Sequence, residues 1–233
     1  MPYTLPASLA DAAVCRGSFH AVLGGEAGDA VFADFSAALQ KAQADGRILT
    51  ASLFRYENHL FFYAEGLNRP FTPQGLCPAL DAALLPWPPA LGEAAPRPWA
   101  AMQPYFYHDV PTTAADWQQG RCPQRRRGRI ALLPPDSWCS YMEHHLRIVT
   151  EGLVEGDRWH LICVQEGVLF SYLEEPRTNV NIKHQPGAHS PELDAWVAAD
   201  PESHFTRFTP EQKAHPDSGH NFVFLPRIAG TED

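Results

Sequence analysis

Basic residues are scarce: Lys and Arg number 18 against 27 Asp and Glu, for a formal net charge of −9. An acidic surface repels phosphate backbones, so nucleic acid is not expected as a partner. The one basic cluster, Arg125-Arg126-Arg127, falls where the pattern reads as a linker. Long apolar runs are missing as well. None approaches the roughly 20 residues that span a bilayer, so no membrane association is expected. The opening Met1-Pro2-Tyr3-Thr4-Leu5-Pro6 lacks the basic and apolar regions of a secretory signal. The five cysteines (15, 77, 122, 139 and 163) are odd in number and show no CxxC spacing. They read as reduced thiols of a cytoplasmic protein, with Cys139 and Cys163 expected as small buried hydrophobes. Gly-rich phosphate loops, GxSxG elbows and Walker patterns are absent, and Gly24-Gly25 reads only as a turn.

What is present is the composition of a globular protein, 45% hydrophobic and 19% charged over 233 residues. That length suits one domain or two and can bury a sizeable core. Prolines number 22 and gather in loops, above all between Pro70 and Pro104.

After a lead-in arm, Phe19 to Leu23 reads as a strand. Ala30 to Gln43 reads as an amphipathic helix with Phe32, Phe35, Leu39 and Ala42 on one face. Ile48 to Phe54 and Leu60 to Glu65 alternate as a hairpin turning at Tyr56 to His59. An irregular helix is expected around Leu80 to Leu84, and Tyr105 to Val110 as a closing strand. The succession then recurs. Arg129 to Leu133 is a strand and Ser137 to Gly152 a helix, with Trp159 to Val164 and Val168 to Leu173 as a hairpin. Pro191 to Ala199 is a helix carrying Leu193 and Trp196, and Asn221 to Leu225 a last strand.

The registers agree too. Leu60-Phe-Phe-Tyr-Ala-Glu65 matches Leu169-Phe-Ser-Tyr-Leu-Glu174, position 60 onto position 169, an offset of 109. Without a gap, Phe32 falls on Tyr141 and Ser36 on His145. A period of about a hundred residues indicates a duplicated domain, since solenoid repeats run roughly 20 to 50. The expected fold is therefore α+β: tandem ferredoxin-like βαββαβ repeats whose bare sheet faces must be covered, forming an intrachain dimeric α+β barrel. The expected divisions are residues 1–16 as the arm, 17–111 as the first half, 112–126 as the linker and 127–233 as the second half. Such a chain is its own pseudo-dimer, with a homodimer also open.

The candidate site lies on the second-half helix. Trp138, Tyr141, Met142, His145 and Val149 recur at three- and four-residue spacing, and so share one face. Asp136 is available as N-cap and Gly152 as the stop signal. An imidazole on an apolar face is either a core histidine or a proton carrier, since its unperturbed pKa of about 6.5 makes both forms available.

Tyr141-Met-Glu-His-His145, the hairpin with Leu169-Phe-Ser-Tyr-Leu-Glu174, and the terminal Phe222-Val-Phe-Leu-Pro226 resemble the L-rhamnose mutarotases over about residues 129 to 228. The resemblance implies a sugar pocket in which His145 moves protons at the anomeric carbon and Tyr141 binds or relays. It implies further that Trp138, Trp159, His204 and Phe205 hold a small-molecule ligand, with no cofactor and no metal. Trp159 stands where the family has a tyrosine, and His204-Phe205 where it has a Trp-Trp pair. In the first half, Phe32 and Ser36 replace the Tyr and His, leaving at most one site in the chain.

Two other readings stay open. Barrels of this class also host cofactor-free or haem-linked monooxygenases, and a third possibility is a non-enzymatic small-molecule carrier. Alternation along the strand sends His160 away from the pocket if Trp159 points in. His184, His189 and Glu192 form the only faint metal pattern, in a Pro-Gly loop without a His-x-His pair. Asn179, Asn181 and Lys183 read as a solvated loop.

Overall fold

The computed structural model describes residues 3–177, 183, 184, 187, 189–213 and 218–231. Its first elements are β1 (Val14–Leu23), α1 (Asp29–Ala44), β2 (Ile48–Tyr56), β3 (His59–Leu67) and α2 (Pro78–Ala83). The short β4 (Leu84–Leu85) and β5 (Ala100–Ala101) follow, then β6 (Gln103–Phe106), α3 (Ala114–Gln118), β7 (Arg125–Leu132) and α4 (Pro135–Glu151). The rest are β8 (Val154–Glu155), β9 (Leu161–Gln165), β10 (Val168–Glu175), β11 (Lys183–His184), α5 (Pro191–Ala198), β12 (Val223–Leu225) and β13 (Arg227–Gly230). The architecture is α+β with antiparallel sheets.

Local chemistry explains the boundaries. On α1 the buried stripe is Phe32, Phe35, Leu39 and Ala42, as the periodicity predicts. Helix α4 starts two residues earlier than Asp136 as N-cap would allow. Pro134 is the capping residue and Pro135 the first helical position, where its missing N–H costs nothing. Asp136 instead sits in the first turn, where its charge suits the helix dipole. Gly152 ends α4 at φ 68°, a left-handed conformation that glycine adopts without strain, and donates its N–H to the Ile148 carbonyl. Both hairpins turn on a glutamate in that same region, Glu57 at φ 52° and Glu166 at φ 51°.

The chain forms two compact units. Unit 1 comprises Met1–Met102, Pro111–Pro123 and Pro226–Asp233, and unit 2 Gln103–Val110 and Gln124–Leu225. In unit 1 the strand order is β13-β2-β3-β1-β4, with β5 also on β1. Phe19, Ala21, Leu53, Leu60 and Phe62 pack on Phe35, Leu39, Leu80 and Trp99. In unit 2 the order is β12-β7-β10-β9-β6. There Ala131, Leu133, Ile162, Val164 and Leu169 pack beneath Tyr141 and Ile148 of α4 and Trp196 of α5.

Three expectations are corrected. The strand expected to close the first half, 105–110, is β6 at Gln103–Phe106, and it pairs with β9 of unit 2. Pro104 has no N–H to give, which suits an edge strand. Beyond the expected last strand, β13 pairs with β2 of unit 1. The compact units therefore cut across the sequence halves, each taking a strand from the other's range.

The expected linker, 112–126, is not one. Thr113 caps α3, whose Trp117 is fully buried and donates to Glu65 Oε1 at 3.0 Å. Arg121 binds the same carboxylate twice, at 2.7 and 2.9 Å, and Arg125 to Arg127 open β7. Burial alone would raise the Glu65 carboxyl, but Arg121 and the hydrogen bonds outweigh it and hold it below the ordinary carboxylate range. Lastly, the arm is shorter than expected, since β1 begins at Val14.

The sequence match at offset 109 carries one detail into both units. Tyr63 donates to Glu65 at 2.7 Å, and Tyr172 to Glu174 at 2.6 Å. Among the described residues no helix is long and apolar enough to cross a membrane.

Candidate active site

Helix α4 buries Tyr141, His145 and Ile148, one stripe at four- and three-residue steps. The ring of His145 lies 4.8 Å from Phe106, 4.7 Å from Trp196 and 4.2 Å from Tyr141. Its Nδ1 stands 2.9 Å from the Tyr141 carbonyl oxygen, one turn back. A carbonyl only accepts, so Nδ1 carries the hydrogen and the neutral ring keeps its lone pair on Nε2. Burial is the main cause that pushes the His145 pKa down to about 4, with the neighbouring His144, His204 and His108 adding to it. At neutral pH the imidazole is therefore a proton acceptor.

The ring opens on a cavity of about 400 Å³ within unit 2. Its aromatic lining is formed by Phe106, Tyr141, Trp196, Phe205 and Phe222. Its polar lining is Arg129, Asp157, His160, Arg177 and Glu202. Asp157 is buried, accepts from Arg177 Nε at 3.3 Å and through its carbonyl from the His160 N–H. His108 closes one wall over Gly156, whose backbone it covers so closely that any side chain there would clash with its ring. Burial lowers the His108 pKa, with Asp157 opposing. Behind Tyr141 stands Tyr105, at 6.2 Å between ring centres, and burial raises both phenols.

Four residues expected at the site from sequence meet here in two ways. His145, Tyr141 and Phe205 line the cavity. His204 backs it, buried at 5.3 Å from Trp196 with Nε2 3.4 Å from the Ser140 hydroxyl. Trp138 does not belong to it. It is 38% exposed and lines an open groove on the outer face of α4 with Met142 and Leu146. A seventeen-residue helix has more than one apolar face, and the three-four spacing alone did not choose between them.

Trp159 is also outside the cavity walls. β9 begins only at Leu161, so Trp159 lies in the preceding turn, buried elsewhere. His160 and Ile162, two apart, face the cavity instead, the reverse of the expected alternation. Cys139, expected buried, is exposed.

His189 is exposed and pairs with Asp194 at 2.9 Å. Asn179, Asn181 and the side chains of Lys183 and His184 lie outside the described residues. Among the described residues no three His, Cys, Asp or Glu side chains converge to hold a metal ion.

Arg129, His108, Asp157, Arg177 and Trp196 were not singled out as site residues from sequence. Arg129 had a signal: it shares strand parity with Ala131 and Leu133, a charge on the inward face of an apolar strand. His108, Asp157 and Arg177 come from loops whose approach no local pattern encodes.

No protein-family model matches the chain, and no curated protein matches it. Among solved structures it is similar to a "putative monooxygenase" from Lactobacillus acidophilus NCFM, at 6% identity and TM-score 0.41, covering 94% of this chain and 96% of that one. A second such protein, from Fusobacterium nucleatum subsp. nucleatum ATCC 25586, matches at 7% identity and TM-score 0.40 over 94% of each chain. An anthrone oxidase-like protein matches at 7% identity and TM-score 0.34 over 92% of each. Likeness at this level says nothing about chemistry.

Proposed function

We propose that unit 2 is the catalytic part of an enzyme that removes a proton from a flat, weakly acidic organic substrate, with His145 as general base. Of the activities expected from sequence, this fits the cofactor-free monooxygenase better than the mutarotase. The observation that carries it is the His145 ring, held through Nδ1 at 2.9 Å from the Tyr141 carbonyl with its basic nitrogen left for the cavity.

Anomerisation needs a group that both gives and takes protons. With a pKa of about 4, only about one His145 in a thousand is protonated at pH 7, so the proton-accepting form is the one present and the proton-donating form that anomerisation also needs is scarce. The lining supplies ring faces for a flat substrate, from Phe106, Trp196, Phe205 and Phe222. A one-ring ligand fills a cavity of about 150 Å³, so about 400 Å³ accepts two or three fused rings.

In the oxygenase chemistry proposed here, His145 takes one proton from an activated methylene, and the carbanion reacts with dioxygen. One oxygen atom becomes the new carbonyl and the other leaves as water with both methylene hydrogens. The sum, CH₂ plus O₂ giving C=O plus H₂O, needs no external reductant.

The finer reading of the fold, tandem ferredoxin-like repeats closing one barrel, belongs to the same proposal. What supports it is the order β4-β1-β3-β2 in one sheet and β12-β7-β10-β9 in the other, each the last, first, third and second of those four strands in chain order.

The test is oxygen uptake, together with solvent deuterium exchange, on a panel of bicyclic and tricyclic phenols and benzylic ketones. Wild type should act without added cofactor. His145→Gln, which keeps most of the volume, should lose about 10²- to 10⁴-fold. Inertness of wild type across the panel, faster anomerisation of aldoses, or a Soret band in the purified protein would each overturn the reading.

A further inference from the structure

Among the described residues, Arg129 is the cavity cation that has no carboxylate partner. Among the described residues no carboxylate lies within ion-pair distance of it, and its Nε is buried without a hydrogen-bond acceptor. Two carboxylates near it have other partners. Asp157 pairs with Arg177 at 3.3 Å, and the Glu202 carboxylate accepts from the Asn221 amide. The Arg129 guanidinium lies over Phe222 at 4.3 Å from the ring centre, which fixes its plane and leaves its edge for a ligand. Burial, the largest cause, lowers its pKa to about 10, so it remains charged at neutral pH.

An unpaired guanidinium in a half-buried cavity is costly, and an anion recovers that cost on arrival. The anion must also fit between ring faces. A phenolate or enolate suits this better than a carboxylate, because its charge is spread over the ring and is cheaper to strip of water.

We infer that Arg129 is an anion-binding residue, and that the cavity takes its ligand as a flat aromatic oxyanion of phenolate or enolate type. This deepens the proposed function and rests on it for the identity of the site. The roles divide: His145 accepts the proton, and Arg129 stabilises the charge that its removal leaves.

The probes are 4-nitrophenol, its uncharged methyl ether 4-nitroanisole, and benzoate. Bound 4-nitrophenol should absorb as the phenolate, with its apparent pKa lowered by a unit or more, a tenfold shift toward the anion. Arg129→Met should abolish that shift and weaken 4-nitrophenol at least tenfold while leaving 4-nitroanisole unchanged. Arg129→Lys, which keeps the charge but not the planar fork, should retain part of the shift and serves as the readout if the Met variant fails to fold. His145→Gln should still bind the phenolate, so anion capture can hold even if base catalysis does not. Bound 4-nitrophenol that stays neutral, equal binding by wild type and Arg129→Met, or benzoate bound more tightly than 4-nitrophenol would overturn the inference.

Discussion

The two units place different residues on one rung of their sheets. In unit 1, Phe19 of β1 lies opposite Phe62 of β3. In unit 2, Arg129 of β7 lies opposite Ser171 of β10, and Ser171 stands 109 positions after Phe62. Beneath that rung, unit 1 has Phe35 and Trp99, stacked 6.3 Å apart and each about 6 Å from Phe62. In unit 2, Arg129 of that rung and His145 both line the cavity of about 400 Å³. Two rings at one rung stand against a serine and an arginine at the other, and the arginine lines the cavity. The difference at this rung is one of volume and charge at a few inward-facing positions.

Removing one of those rings is the sharpest way to break the comparison. Phe62→Ala should cost unit 1 about 3 to 5 kcal/mol, because the ring is fully buried among others that cannot collapse far. A denaturant titration checks it, and a cost near 1 kcal/mol would mean that the rung is loosely packed.

Acid should act on unit 2 through His145. Its folded-state pKa of about 4 lies below the unfolded value of about 6.5, so the unfolded chain takes up a proton first as pH falls. The stability this neutral histidine contributes is complete above pH 6.5 and lost progressively down to pH 4, about 3 kcal/mol in all. His145→Gln should flatten that part of the stability–pH curve, measured against wild type.

Crowding Arg129 should be milder for folding and severe for binding. Ser171→Phe sets a ring opposite Arg129 at a cost of about 1 to 3 kcal/mol, and should weaken 4-nitrophenol binding in a folded protein. Unchanged binding would move the ligand site away from this rung. The smallest effect is expected at Trp138. Trp138→Ala on the exposed groove should alter stability by about 0.5 kcal/mol or less and leave ligand binding unchanged.

Much of this contrast was written in the sequence. The match of Leu60 to Glu65 with Leu169 to Glu174 falls on β3 and β10, and of its two mismatches Phe62 against Ser171 is the one that lies on the compared rung. Helix periodicity found Tyr141 and His145. It misassigned Trp138, because spacing names a face without saying what covers it. Trp159 and His160 were exchanged for a related reason: β9 starts two residues later than its apolar run, so strand parity was counted through a turn. The buried Glu65–Arg121 pair and the swap of β6 and β13 between sheets depend on where distant segments dock. No local propensity encodes that, and a run of Arg and Gln read as a linker.

The measurement that bears most directly on the account is a nitrogen NMR titration of the histidine side chains, with His145 assigned by comparison with His145→Gln. The account predicts that His145 stays neutral from pH 8 down to about pH 5, with hydrogen on Nδ1 and a bare Nε2, and takes a proton only near pH 4. Protonation near pH 6.5, or a hydrogen on Nε2 at neutral pH, would contradict it, since the cavity would then hold either an ordinary exposed histidine or one whose basic nitrogen faces its own helix.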